Sequence, residues 1–252
     1  MINKKCIDTH THTQFWNLEH FRKLDKETYI ISLDSFIKIP DSVKLGGKNK
    51  NVTYAYGLQP YTEYNIIELK NYLSNLDEKC KLGKIPMLGE LGLEKSNNKE
   101  FILLEEQVKI AKNYKLPIII HTPTKNKIEV SKRIYEFLTT QEIPPQRAII
   151  DHINQEILDW HKPEYFLGIT IQQEYGKLSE DQAIQLILKN PQFINQFVIN
   201  SDYSNLPLRK QNLVDINTVK NFKKKLSKID ENLAEKVCYE NPLKFLGDAY
   251  GN

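Results

Sequence analysis

The chain of 252 residues is poor in the features that mark cross-linked or membrane proteins. Its three cysteines, Cys6, Cys80 and Cys238, are scattered and form no C-x-x-C pair. That argues against a disulfide framework or a thiolate zinc site and predicts a reducing compartment. No apolar run approaches the ~18 residues of a membrane span. Asp8 and His10 interrupt any signal-peptide core behind Lys4-Lys5, so a cytoplasmic protein with no membrane contact is expected. An excess of one charge is also missing. Lys plus Arg number 35 and Asp plus Glu 32, a formal net charge of +3. That excess is too small to predict nucleic-acid binding from bulk electrostatics alone. There is no Gly-rich phosphate loop and no G-x-S-x-G elbow, which leaves nucleotide-cofactor and serine-hydrolase chemistry without support.

Linkers, internal repeats and low-complexity blocks are absent too, so residues 1–252 are expected to form a single domain. A hydrophobic content of 40% is enough for a sizeable core, and the length suits one α/β barrel. Short β-rich runs occur at Lys5–His10, Thr28–Leu33, Val52–Gly57, Ile85–Leu91, Pro117–Thr122, Ala148–His152, Tyr165–Ile171 and Phe197–Ser201. Apolar residues at helical spacing lie between and after them, over Ile66–Leu82, Phe101–Tyr114, Asn126–Leu138, Asp181–Leu188, Asp215–Lys225 and Asn232–Leu246. Strand–helix alternation means a parallel sheet. Eight such units predict an α/β fold of the (β/α)8 TIM-barrel type. Ile118–Ile120 and Ala148–Ile150 are continuously apolar, as expected of strands covered on both faces. The weakest unit is the stretch from Phe36 to Lys50, which holds Pro40 and Gly46-Gly47, shows no period and reads as irregular.

The chemistry begins at Asp8-Thr9-His10-Thr11-His12. Side chains two apart on a strand share a face, so Asp8, His10 and His12 converge. His121 and His152 also fall at C-terminal ends of predicted strands, as do Glu90 and Asp202. In a barrel those ends form the active face. Neutral imidazoles with carboxylates suit a first-row divalent metal, and this many ligands can hold two ions. Taken singly, each residue has a plainer reading: a hydrogen-bonded core histidine, a capping Glu90, or an Asp202 that opens a turn with Ser204 and Pro207. Their gathering at one end is what favours a site. His20 and His161 read as helix-surface residues. Asp151 reads either as a supporting partner or as a surface acid.

The ordered set Ile7-Asp8-Thr9-His10-Thr11-His12, Gly89-Glu90-Leu91-Gly92-Leu93, Leu116 to Thr122 with His121, His152, and Asn200-Ser201-Asp202 resembles the TatD-type metal-dependent hydrolases of the amidohydrolase superfamily. The closing Glu240-Asn241-Pro242-Leu243-Lys244-Phe245-Leu246 is similar to that family's C-terminal helix, so the resemblance spans nearly the whole chain. It implies that His10, His12 and Asp202 hold one divalent ion and that His121 and His152 hold a second, with Glu90 bridging. The ions implied are zinc, manganese or magnesium. It also implies a metal-activated water as nucleophile. Asp202 would position that water or take its proton, and Asp8 would support a ligand. The expected activity is phosphodiester cleavage, exonucleolytic on DNA, with single-stranded DNA as a candidate partner.

Other positions depart from the family pattern. Gly57-Leu58-Gln59-Pro60 stands where the family commonly has Gly-x-His-Pro. Asn200-Ser201 replaces an acid and a threonine. Ile153-Asn154-Gln155-Glu156 replaces Cys-Phe-Ser-Gly. The ligands are kept while the loops that face substrate differ. Two alternatives therefore stay open: a small-molecule ester or amide hydrolase, and a non-catalytic barrel that retains metal to bind a metabolite or partner. Lys125 or Lys127 could bind a substrate anion or simply form a solvated helical turn. Gln172, Gln173 and Tyr175 could line the pocket. The tyrosines at 54, 56, 61 and 64 are expected to pack between barrel and helices rather than stack on a base.

Overall fold

Thr9, Thr11 and Thr13 alternate with histidines at the start of the chain, and β-branched residues favour extended backbone. Strand β1 (Cys6–His12) accordingly runs past the expected end at His10, through both imidazoles. The computed structural model describes residues 5–36, 50–160, 165–173, 176–204 and 214–250, with 248–250 as backbone only. Most of the irregular stretch expected over 36–50 lies outside the described residues, as do His161, Tyr175 and Pro207.

Strands β2 (Thr28–Asp34), β3 (Val52–Tyr56), β4 (Leu88–Gly92), β5 (Ile118–His121), β6 (Ala148–Ile150), β7 (Phe166–Thr170) and β8 (Phe197–Asn200) follow β1, each parallel to its neighbour. A ninth, β9 (Tyr203–Ser204), pairs with β1, so the sheet order is β8-β7-β6-β5-β4-β3-β2-β1-β9. The eighth expected strand, Phe197–Ser201, is β8, and a short further strand, β9, follows it beyond the expected end. Asp202 separates the two with a left-handed backbone (φ 47). The first pairs with β7 and the second with β1. Across this seam the Asp202 amide donates to the His10 carbonyl at 2.9 Å, and the Thr9 hydroxyl donates to the Ile199 carbonyl at 3.3 Å. The barrel closes there.

Parity along the strands sorts the core. Ile31, Leu33, Ala55, Met87, Ile119, Ile149, Phe166 and Val198 form one buried cluster inside the barrel, joined by Phe245. Their neighbours Ile118, Ile120, Ala148, Ile150, Leu167 and Ile199 belong to the larger cluster facing the helices. Covering both faces accounts for the continuously apolar runs. Two residues beyond the inner layer, on the same face, come His121, Asp151, Gly168 and Asn200. The same period that fills the core therefore aims polar groups into the barrel mouth.

The connecting helices are α1 (Leu18–Lys23), α2 (Ile66–Lys81), α3 (Asn98–Asn113), α4 (Lys127–Thr140), α5 (Gln155–Trp160), α6 (Glu180–Lys189), α7 (Thr218–Ser227), α8 (Glu231–Glu235) and α9 (Asn241–Tyr250). Asn65 and Ser179 start α2 and α6 with reciprocal side-chain caps to Glu68 and Gln182, which satisfy otherwise unpaired amides. β4 begins three residues later than expected, after Pro86, which has no amide to give a ladder. The single helix expected over Asn232–Leu246 is instead α8, a π-type turn over Lys236–Glu240, and α9. Helices α1 and α5, of six residues each, are too short to show a period, and the sequence marked the first only through His20. His20 lies on α1. All three cysteines are free and buried. Among the described residues no helix is long and apolar enough to cross a membrane.

Candidate metal centre

The barrel mouth gathers His10 and His12 from β1, Glu90 from β4, His121 from β5, His152 after β6 and Asp202 after β8. All six are buried, none more than 7% exposed. His152 and Asp202 both adopt left-handed backbone, φ 58 and 47, a conformation that costs energy for residues with a Cβ and clusters at functional sites.

The hydrogen bonds fix where the imidazole lone pairs point. The Nδ1 of His12 lies 2.7 Å from the Leu33 carbonyl, which can only accept. His12 therefore carries its proton on Nδ1, and in the neutral ring Nε2 is a lone pair. The Nδ1 of His10 lies 2.7 Å from Asp151 Oδ2. The two Nε2 atoms face each other at 3.1 Å. Asp202 Oδ1 stands 3.0 Å from His12 Nε2 and 3.7 Å from His10 Nε2, while Glu90 Oε2 is 3.6 Å from His10 Nε2. Such a concentration of lone pairs and negative charge calls for a proton or a metal cation among them. The ligand atoms of His10, His12 and Asp202 lie within 4.8 Å of one another, and so do those of His10, Glu90 and His152. The donor set thus fits one or more divalent cations of the imidazole- and carboxylate-loving kind.

Glu90 is the hub of the second group. Its Oε1 is 2.8 Å from His121 Nδ1 and 3.0 Å from His152 Nε2, and its Oε2 accepts from Gln59 at 2.9 Å. Burial alone would raise its pKa, but the charges on His10 and His121 hold it well below the carboxylate range. Burial disfavours charge on His10 as well, yet Glu90, Asp151 and Asp202 raise its pKa to about 9. His152 is held well below the usual imidazole range by burial and by Lys177, which keeps its ring neutral.

Supporting contacts come from residues that the sequence left ambiguous or hid. Asp151 is fully buried, holding His10 through Oδ2 and accepting from Asn200 through Oδ1 at 2.7 Å. Gly168 makes room for it; a Cβ there would sit 1.6 Å from Asp151 Oδ1. Thr170 holds His152 Nδ1 at 2.7 Å. Asp8 does not touch an imidazole. It accepts from the amides of His10 and Ser201 and from the Ser201 hydroxyl, which fixes the backbone that leads into Asp202. Glu94 binds His121 Nε2 at 2.7 Å, and Lys177 pairs with Asp202 Oδ2. Neither had a sequence signal beyond its place in a loop after a strand.

Above these six side chains opens a cleft of about 590 Å³ that reaches Tyr61, Glu94, Lys127, Glu156 and Lys177. Lys125 is exposed, whereas Lys127 borders this cleft. Gln172 and Gln173 line a separate pocket with Ser179 and Asp215. Tyr54 and Tyr56 stack on each other with ring centroids 6.3 Å apart, and Tyr61 meets His121 edge-on.

A parallel barrel whose mouth offers four imidazoles and two carboxylates defines a metal-dependent hydrolase of the barrel class. The chain belongs to the TatD family: the profile described as "TatD related DNase" matches residues 7–247. A metal-dependent hydrolase of Methanocaldococcus jannaschii, described as uncharacterized, is 29% identical over 264 aligned positions, which cover 95% of this chain and 98% of that protein. The crystal structure of a TatD-like protein from Archaeoglobus fulgidus matches with a TM-score of 0.72 and 24% identity, covering 95% of this chain and 99% of the other. The phosphotriesterase homology protein of Escherichia coli, complexed with phosphate in its active site, matches with a TM-score of 0.74 and 13% identity, covering 98% and 100%.

Proposed function

We propose that the protein hydrolyses phosphodiesters with divalent metal held by His10, His12 and Asp202 on one side and by His121, His152 and Glu90 on the other. An oligonucleotide end, presented as a single strand, is the first candidate substrate. The observation that carries the reading is the pair of facing Nε2 atoms of His10 and His12, 3.1 Å apart beside Asp202 and Glu90. The family description and the phosphate reported in the Escherichia coli neighbour's active site support the choice of phosphorus chemistry. The three buried free thiols support a reducing, cytoplasmic setting.

Bound in this pocket, divalent cations would lower the pKa of a water and draw electron density from the phosphoryl oxygen. The remaining work falls to side chains. Asp202 turns Oδ1 toward the imidazoles and Oδ2 toward Lys177, so one carboxylate can serve the metal donors and also receive the water's proton. Asp151 and the Leu33 carbonyl lock the rings of His10 and His12, and Gln59 fixes Glu90. Gln59 thereby orients a donor instead of offering charge to a substrate phosphate.

A second reading, hydrolysis of a small ester or amide, is favoured by the cleft itself, whose volume of about 590 Å³ falls in the range of small-molecule sites. The deciding experiment is a panel of oligonucleotides, simple phosphodiesters and small carboxyl esters. It is run on chelator-stripped protein and after addition of zinc, manganese or magnesium. Metal-dependent release of mononucleotides is the expected result. Turnover of carboxyl esters alone would transfer the assignment to the second reading, and equal turnover before and after stripping would overturn both.

A further inference from the structure

We infer that Lys127 and Lys177 form a two-ammonium receptor beside the metal donors that takes a second phosphoryl group of the substrate. The inference rests on the hydrolase reading above and adds a substrate class to it: molecules with a phosphate adjoining the phosphodiester that is cut.

The two lysines lie far apart in the chain, one on the first turn of α4 after β5 and the other in the loop after β7, yet both face the same cleft. Lys177 is 11% exposed and touches Asp202 through Oδ2, the oxygen turned away from the imidazoles. Its ammonium is thus held next to where the scissile phosphate must sit. Lys127 donates from Nζ to the Thr122 hydroxyl at 2.9 Å and to the Pro123 carbonyl at 3.0 Å. Both acceptors are neutral. An ammonium offers three donors, and these two bonds leave one. Burial and the nearby charge of Lys177 push the pKa of Lys127 down to about 7. Placing a second cation there is costly unless an anion joins it.

Asp202 serves Lys177, and the other carboxylates on the cleft wall do not supply that anion to Lys127 at close range. Glu94 is engaged by His121 Nε2 at 2.7 Å and by the Thr124 amide, and Glu156 is exposed at the rim. A plainer role for Lys127, clamping the loop after β5, requires only its two neutral hydrogen bonds. It gives no reason for a buried charge to point into a cleft that already holds Lys177. A phosphoryl group between the two ammoniums would give Lys127 its anion and Lys177 a second one beside Asp202, since phosphate accepts charge-assisted bonds from lysine.

The test uses metal-loaded protein and two probes, inorganic phosphate and pyrophosphate, titrated by calorimetry at a fixed free-metal concentration. The parent is expected to bind pyrophosphate at least about tenfold more tightly than phosphate, the scale of a charge-assisted bond. Lys127→Met and Lys177→Met should each erase that preference, with metal content by elemental analysis unchanged. Lys127→Arg should keep it, which also covers the case in which the methionine variant folds poorly. Pyrophosphate affinity within about twofold of the parent in both methionine variants would overturn the receptor, because it lies far below one lost charge-assisted bond. The two readings separate cleanly. A parent that cuts no phosphodiester yet shows the lysine-dependent preference retains the receptor and loses the proposed reaction. A parent that cuts phosphodiesters while its variants bind pyrophosphate as it does loses only the receptor.

Discussion

Asp151 and His10, 141 residues apart in the chain, meet at 2.7 Å with both side chains fully buried. The bond spans the barrel interior and sets the direction in which His10 presents Nε2. Removing the carboxylate with Asp151→Ala frees the ring and leaves Asn200 without its acceptor. Metal affinity is expected to fall by about 10–100-fold, the usual cost of losing such a supporting partner. Competition against a chelator of known affinity measures it.

Gly168 offers a test that touches no ligand. Its Cβ position lies 1.6 Å from Asp151 Oδ1. Gly168→Ala must therefore displace Asp151 or bend β7. Stability should drop by about 3 kcal/mol, at the upper end of overpacking effects. Metal affinity should fall with it. Thermal melts with and without metal read both quantities; a melt unchanged in both conditions would contradict the packing described here.

Asp202→Asn keeps the shape of the side chain, and asparagine tolerates the left-handed backbone found there. The fold and much of the bound metal should survive. The rate of hydrolysis should fall by about 100-fold or more, as when a general base is lost. A variant that turns over as fast as the parent would remove Asp202 from the proton-accepting role.

His121→Ala leaves Glu90 held by His152 and Gln59 but strips one imidazole from its Oε1. Elemental analysis should show less metal per chain than in the parent. Unchanged stoichiometry would remove His121 from the ligand set.

Lys127 gives a prediction in pH. The groups that bear on it are Lys177, Glu94, Glu156 and Asp151, and its pKa sits at about 7, below the ordinary lysine value. A lysine is charged below its pKa, and an anion bound beside it raises that pKa. Binding of pyrophosphate slightly above neutral pH should therefore take up protons, more in the parent than in Lys127→Met. Calorimetry in buffers of different ionisation enthalpy counts those protons. Equal uptake by the two proteins would defeat the prediction.

Period and composition made the frame legible. Ile119, Ile149 and Val198 announce the inner layer, and His121, Asp151 and Asn200, two residues past them, inherit its direction. His10, His12, Glu90, His121, His152 and Asp202 stood out because strand ends concentrate at one mouth. What stayed hidden depends on contacts that no local pattern encodes. Glu94 and Lys177 are loop residues whose partners, His121 and Asp202, come from other units. Thr170 and Gly168 look like ordinary strand positions until the residues facing them are known. The short strand β9 went unread because it follows Asp202, whose backbone takes a conformation that sequence alone assigns to glycine more readily. Asp8 was expected on the histidines' face, but β1 shifts register between Asp8 and Thr11, which leaves Asp8 paired with Ile30 outside the inner cluster; its oxygens serve the amides of His10 and Ser201 and the Ser201 hydroxyl instead of a ring.

The interrupted last strand ties architecture to reactivity. The residue that parts β8 from β9 is the same one that presents a carboxylate to His12, and its amide is also the stitch that joins the final strand to the first. Any breathing that pulls those two edges apart withdraws that carboxylate from His12 in the same movement. A molecule so constructed should fall silent under mild heat or denaturant while its helices are still intact, because its zip fastener and its reagent share one tooth.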